Sequence, residues 1–318
     1  MSVLVLVEHD RGTLAPASLE AFTAARSLGA DVHALTIGAA ADGLIDILGT
    51  HGVSVVHQAH HDLLADYGPE AWGDSLAQVI RAAAPTAVIA TGTDRGNEVM
   101  AHAAAILDLP MVANCLEITA GETWMITRMR WGGSLLERCE LVAGIKLVTV
   151  AHHTFDPVES PVEVVAQPFT PHLDPLLSRT IVTDRVARAA GVTLATAPVV
   201  VGGGRAVGSP EAFGPLEELA ALLGGVVGCS RAVTNNGWRN HTDQVGQTGT
   251  RIAPDIYFAC GISGAIQHWV GAMASKKILA INTDPEANMV TKADYAVIGD
   301  LHQVVPAISA EIKRRRGA

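Results

Sequence analysis

A chain of 318 residues exceeds one typical globular core, so two domains are expected before any motif is read. The composition, 49% hydrophobic and 17% charged with only 4% aromatic, fits small side chains packed between helices and a mostly parallel sheet, and it excludes a disordered chain. A formal net charge of -10 argues against a nucleic-acid backbone as partner, because such binding needs Lys and Arg to neutralise phosphates.

The chain reaches a charge at Glu8, too early for a signal peptide, and no uninterrupted apolar run approaches membrane-spanning length. A cytoplasmic protein with no membrane insertion is therefore expected. Residues 3–7, 32–37, 53–57 and 87–91 read as short strands alternating with amphipathic stretches, the βαβ rhythm of a Rossmann-like sheet covered on both faces. Residues 16–28 read as a helix, with Pro16 at its start and Gly29 just past its end. Another helix is expected after Gly92, where Thr93, Asp94 and Asn97 offer capping oxygens. Residues 122–130 and 141–150 read as strands around Gly132-Gly133 and close an N-terminal α/β domain, residues 1–178. Its last part, about 151–178, carries Pro157, Pro161, Pro168, Pro171 and Pro175 and reads as a linker. The pairs His60-His61 and His152-His153 have no ligand-spaced carboxylates beside them, so no metal is expected. Cys115, Cys139, Cys229 and Cys260 lack CxxC spacing and read as reduced thiols.

The C-terminal domain, residues 179–318, restarts with 197–201, an apolar run that ends in Gly202-Gly203-Gly204-Arg205. Residues 226–229, 256–260, 278–282 and 295–298 read as further strands, and 211–223 and 301–314 as helices. Lys313-Arg314-Arg315-Arg316 suits the C-terminal end of that last helix. The pattern describes a doubly wound α/β domain, whose ligand site lies beyond the carboxyl ends of its strands. The residues found there are small or polar: the glycines before Arg205, then Ser230-Arg231, Gly261-Ile262-Ser263-Gly264, Asn282 and Gly299-Asp300. Glycine lets backbone N–H groups approach a phosphate, and Ser263-Gly264-Ala265 opens a helix whose dipole favours a pyrophosphate; a plain tight turn is the other reading of that motif.

A nicotinamide dehydrogenase is the obvious rival. The run Gly202 to Gly208 lacks GxGxxG spacing, and the second strand ends in Ser230-Arg231, with no acidic residue to hold a ribose 2'-hydroxyl. A Ser-Arg pair could hold the 2'-phosphate of NADP, so an NADP-linked oxidoreductase stays open as an alternative. No nucleophile with a paired base stands out, since Ser263 has no GxSxG frame. The site reads as one that holds a cofactor without substrate chemistry of its own, and a nucleotide-binding regulatory module is the second alternative.

Four segments occur in order here: Val245-Gly246-Gln247-Thr248-Gly249; Gly261-Ile262-Ser263-Gly264-Ala265-Ile266-Gln267-His268; Ala280-Ile281-Asn282 with Asp284-Pro285-Glu286-Ala287; and Ala293-Asp294-Tyr295 to Gly299-Asp300-Leu301. In order and spacing they resemble the alpha subunits of electron-transfer flavoproteins, and the likeness covers essentially everything after residue 197. The resemblance implies an FAD-binding C-terminal domain, an alpha/beta heterodimer whose N-terminal half contacts the beta subunit, and an electron carrier. It would take electrons from flavin dehydrogenases and pass them to a downstream acceptor such as a membrane quinone oxidoreductase. Carried over by position, it puts Arg205, Ser230 and Arg231 at the cofactor, with Arg231 beside the isoalloxazine. Gln244 to Gly249 enter the site as well, Gln247 and Thr248 near N5. Ser263 to Gln267 would hold the pyrophosphate and ribityl region, His268 would approach O2, Asn282 and Asp300 would hold the adenosine end, and Leu301 is named at the cofactor as well. A cation at Arg231 and a donor at His268 would favour the negative charge that accumulates near N1 and O2 on reduction. Thr250 stands where the family commonly has Lys, and His302 where an aromatic residue is common.

Overall fold

The computed structural model describes residues 2–183 and 192–317. These fall into two compact units, parting between Thr183 and Val192.

The first unit has strands β1 (Ser2–Leu6), β2 (His9–Asp10), β3 (Thr13–Leu14), β4 (Asp31–Ile37), β5 (Val53–Ala59), β6 (Ala87–Thr91), β7 (Met111–Thr119), β8 (Trp124–Arg130), β9 (Leu135–Leu141), β10 (Lys146–Val150) and β11 (Val165–Phe169). Its helices are α1 (Pro16–Ser27), α2 (Ile45–Thr50), α3 (Pro69–Ala83) and α4 (Asp94–Leu107). Nine strands form one sheet in the order β11-β5-β4-β1-β6-β10-β7-β8-β9, parallel except for the β7-β8 and β8-β9 pairs. Central strands such as β6 are buried along their whole length, which is why they read as continuous apolar runs. Helix α1 begins at Pro16, whose fixed φ suits a first helical position, and α4 begins where the Thr93 hydroxyl accepts the Gly96 N–H.

Three features depart from the sequence expectations. Residues 141–150 are not one strand: β9 pairs antiparallel with β8, whereas β10 runs parallel to β6 and β7, and a single segment cannot have both directions. Helix α3 is additional, started by Pro69 and stopped at Ala84 in the left-handed conformation. The Pro-rich segment contains β11, an edge strand on β5, and Pro168 is tolerated there because an edge leaves one row of N–H groups unused.

The second unit has strands β12 (Val199–Gly203), β13 (Val226–Cys229), β14 (Ile256–Cys260), β15 (Ile278–Asn282) and β16 (Tyr295–Ile298), with helices α5 (Gly214–Leu222), α6 (Arg231–Asn235), α7 (Ile266–Ala272), α8 (Asn288–Lys292) and α9 (Leu301–Arg316). All five strands are parallel, in the order β13-β12-β14-β15-β16. The chain builds outward from β12 to β13 and then crosses to β14, so the direction of growth reverses between β12 and β14. A crevice opens at such a switch point, beyond the strand ends. One apolar cluster packs α5 and α9 on one face, and a second, including Tyr257, Ile262 and Met289, covers the other.

Strand β12 starts and ends two residues later than expected, so Gly202 and Gly203 lie inside it and not in a loop. Packing explains both: a Cβ on Gly202 would overlap the Tyr257 hydroxyl and ring, and one on Gly203 would overlap Phe213. Among the described residues no helix is long and apolar enough to cross a membrane.

Candidate functional site

Both units have a switch point, and they differ. In the first unit it lies between β1 and β6, where the Thr91 hydroxyl donates to Glu8 Oε2 at 2.7 Å and the Thr93 hydroxyl donates to the same oxygen. The space beside that carboxylate, lined also by Thr91, Arg95 and Gly96, is only about 10 Å³. A larger space of about 460 Å³ lies near His9 and Gly38, but its arginines are engaged, Arg11 with Asp66 and Arg95 over the Tyr67 ring.

In the second unit the crevice is open, a cavity of about 630 Å³ within the ~300–1,000 Å³ usual for ligand sites. Every strand end around the switch point contributes to it. Arg205 follows β12; Ser230 and Arg231 follow β13; Gly261, Ile262, Ser263, Gly264 and Ala265 follow β14; Asn282 ends β15; Gln267 and His268 come from α7. Ala206, Ala232, Asn235, Asp284 and Ala287 also line it. The sequence held a signal for Asn235, which lies one helical turn beyond Arg231 on the same face.

The backbone here is shaped by close approach. Gly264 has φ +78°, and a Cβ on it would overlap the Met289 backbone; a Cβ on Gly204 would overlap the Gly261 carbonyl. Asn282 is spent on the chain itself: its Nδ2 donates to the Ile262 carbonyl at 3.1 Å and its Oδ1 accepts from the Asp284 N–H. It thereby holds the Gly261 to Ser263 loop open beside the cavity. Helix α7 has seven residues, with Ala265 at its N-cap position and no side-chain cap.

Nine of the residues named from the resemblance do not line the cavity. Val245 and Leu301 are core residues. Gln244 is buried as a brace: its Nε2 donates to the Thr248 hydroxyl and its Oε1 accepts from the Thr234 hydroxyl, both at 2.9 Å. Gly246 packs against Gly271 of α7, and Gly249 against the Gln244 backbone. The Gln247 and Thr248 side chains are exposed, in a loop tied to α7 by the Gln247 N–H on the Gln267 carbonyl at 2.7 Å. Ile266 is exposed at the start of α7. Asp300 is the N-cap of α9, its Oδ1 accepting the His302 N–H at 2.9 Å.

Charge is concentrated on two arginines. Among the described residues neither Arg205 nor Arg231 has an ion-pair partner, and Asp284 is the one carboxylate at the lining. His268 is buried; desolvation lowers its pKa to about 4, so its ring is neutral at pH 7. One ring nitrogen, Nε2, is 2.8 Å from the Tyr257 hydroxyl, and the other, Nδ1, is buried with no partner in the protein. Cys229 and Cys260 are pushed up to about 12 by burial and are thiols, not thiolates.

The histidine pair at 152–153 does meet a carboxylate, contrary to the sequence reading: Glu20 of α1 accepts from His152 Nδ1 at 2.9 Å and from the Thr154 N–H. Ligand-type atoms of the three residues lie within 4.8 Å of one another. The two imidazoles are stacked, 3.8 Å apart and 16° from parallel, so their in-plane lone pairs do not converge on one point.

Comparison with known proteins places these features in a family. Residues 3–170 match the electron transfer flavoprotein domain and residues 193–273 the electron transfer flavoprotein FAD-binding domain. Curated relatives include the electron transfer flavoprotein subunit alpha of Bradyrhizobium diazoefficiens, 37% identical over 98% of both chains. Those of Bacillus subtilis, 34% identical over 98% of this chain and 97% of that one, and Mycobacterium leprae, 36% identical over 99% of both, match along the same length. The chain belongs to the electron transfer flavoprotein alpha-subunit family.

Proposed function

We propose that the cavity between β12 and β14 holds the FAD of an electron carrier. In this reading the chain pairs with an electron transfer flavoprotein beta subunit, accepts electrons from flavin dehydrogenases and delivers them to a downstream acceptor such as a membrane quinone oxidoreductase. The observation that carries it is that two arginines with no ion-pair partner among the described residues, and His268, whose buried Nδ1 has no partner in the protein, line one cavity at the switch point of a parallel sheet. Those residues fit a flavin dinucleotide. Arginine suits phosphate oxygens and an electron-rich ring, and the lining run Gly261 to Ala265 leads into α7 as a glycine-bearing loop of the kind that can offer backbone N–H groups to a phosphate.

Bound FAD supplies the electron-accepting and electron-donating chemistry. The residues of this chain bind it, orient it and set its electrostatics. Ser263, Gly264, Ala265 and Gln267 would hold the pyrophosphate and ribityl part, and Arg231 would stand beside the isoalloxazine. His268 would offer a hydrogen bond to its O2 edge, and Asn282 would shape the wall at the adenosine end. Gln247 and Thr248, which lie outside the cavity lining, would reach the ring only at its edge, from the loop that Gln244 braces. The cation and the neutral donor both favour charge added on reduction, because preorganised groups in a partly dry site act at low effective dielectric.

The test is purification of the chain with its beta subunit and an absorption spectrum. Oxidised-flavin bands, one flavin per alpha chain and identified as FAD after release, support the proposal. A colourless complex, or one that turns over NADPH without flavin, sinks it.

A further inference from the structure

We infer that Tyr257 is a positioning residue for His268: its hydroxyl donates to Nε2 and holds the imidazole as the Nδ1–H tautomer, leaving that N–H for an acceptor on the bound cofactor. This rests on the flavin reading of the cavity.

Two directions are open for the 2.8 Å bond between the Tyr257 hydroxyl and His268 Nε2. If the imidazole donated, the phenolic proton would be left in the core without an acceptor. Tyr257 is fully buried in β14, and among the described residues its hydroxyl has this one hydrogen bond. If the phenol donates, its proton is satisfied and the ring proton is forced onto Nδ1. That atom is buried and has no partner in the protein, while the ring it belongs to lines the cavity. The protein thus leaves one donor whose acceptor must come from a guest. Leaving a buried donor unmade is costly, so the guest's acceptor gains what the empty protein lacks.

The rest of the local structure serves this pair. His268 is neutral in its buried setting, so the tautomer, not the charge, decides whether Nδ1 offers a proton or a lone pair. A lone pair would repel charge arriving on a flavin carbonyl, whereas an N–H stabilises it. Desolvation raises the Tyr257 pKa well above its usual value, which keeps the phenol a donor. Glycine at 202 leaves the space the phenol needs, since any Cβ there would overlap the hydroxyl.

The experiment is long-range 15N correlation of histidine side chains in the purified complex with its beta subunit, His268 being assigned by its loss in His268→Gln. Spectra are taken with the flavin removed and restored, and potentials are measured on wild type and Tyr257→Phe. The expected wild-type signature is a bare Nε2 and a protonated Nδ1 in both states, with Nδ1 shifting when FAD is restored. In Tyr257→Phe the tautomer becomes mixed and the midpoint potential falls at unchanged FAD content. A protonated Nε2 in the wild type overturns the inference, as does an unchanged potential in a folded Tyr257→Phe. The flavin-free wild-type spectrum needs no variant and no cofactor, so it reads the Tyr257–His268 pair even if FAD is not the guest. An Nδ1 indifferent to restored FAD, with the tautomer as stated, instead refutes the flavin contact.

Discussion

Arg231 and Ser263 illustrate how two residues at one cavity divide its work. Arg231 carries a charge with no carboxylate partner among the described residues, so its removal should change the electrostatic cost of adding an electron. For Arg231→Ala we expect the flavin midpoint potential to fall by on the order of 50 mV, roughly a tenfold change in a one-electron equilibrium. Spectroelectrochemical titration reads this directly, and an unchanged value removes Arg231 from the site. Ser263→Ala and Gln267→Ala should weaken FAD retention by roughly tenfold, the worth of one hydrogen bond, with little change in potential. Retention through dialysis against increasing chaotrope checks it. At this scale the sequence was informative where a residue directly follows a parallel strand, because topology alone turns Arg205, Arg231, Ser263 and Asn282 toward the crevice. It named Gln244 as a cofactor residue and missed its part as a brace, because its partners Thr234 and Thr248 meet only when the loop folds back.

Asp300 belongs to the helix it begins. The resemblance puts it at the adenosine end, yet Asp300 with Gln303 three residues on is the Asp-x-x-Gln spacing of a capping box, a signal that was available in the sequence. Asp300→Ala should therefore cost about 1 kcal/mol of stability and Asp300→Ser should restore most of it, whether or not flavin is present. Chemical denaturation of both variants distinguishes a cap from a ligand, since a ligand role would cost affinity and leave the flavin-free protein unaltered. Strand β12 is a second case. Its glycines read as a phosphate loop, and two of them instead make room for Tyr257 and Phe213. Gly202→Ala should destabilise the unit by roughly 1–3 kcal/mol through overpacking, seen as a lower melting temperature even without flavin. Local propensity cannot reveal this, because the clash depends on a side chain 55 positions away. The same limit hid the break between β9 and β10, since direction within a sheet is set by partners and not by the strand's own residues.

At the scale of the whole molecule, acid should act on both units in the same direction. His9 and His57 in the first unit and His268 in the second all have pKa values lowered mainly by burial. Each binds its proton more readily when unfolded, so their contribution is complete above about pH 6.5 and is lost as pH falls toward the folded values. For His268 the window runs from 6.5 to about 4 and is worth about 3 kcal/mol. Asp31 and Asp294, whose pKa values are lowered first by hydrogen bonds from Ser54 and Lys277, extend the loss below the ordinary carboxylate range. Denaturation midpoints measured from pH 7.5 down should decline steadily, and His268→Gln should flatten the upper part of that decline; a flat profile in the wild type would contradict the burial argument. The doubly wound plan was legible at this scale because alternating apolar runs betray parallel sheets. What was not legible was that the two sheets treat their crevices differently. With the Glu8 carboxylate standing in one crevice and about 630 Å³ open in the other, only one switch point offers room for a dinucleotide: saturating the chain with flavin should end at one equivalent, and any second equivalent should wash away.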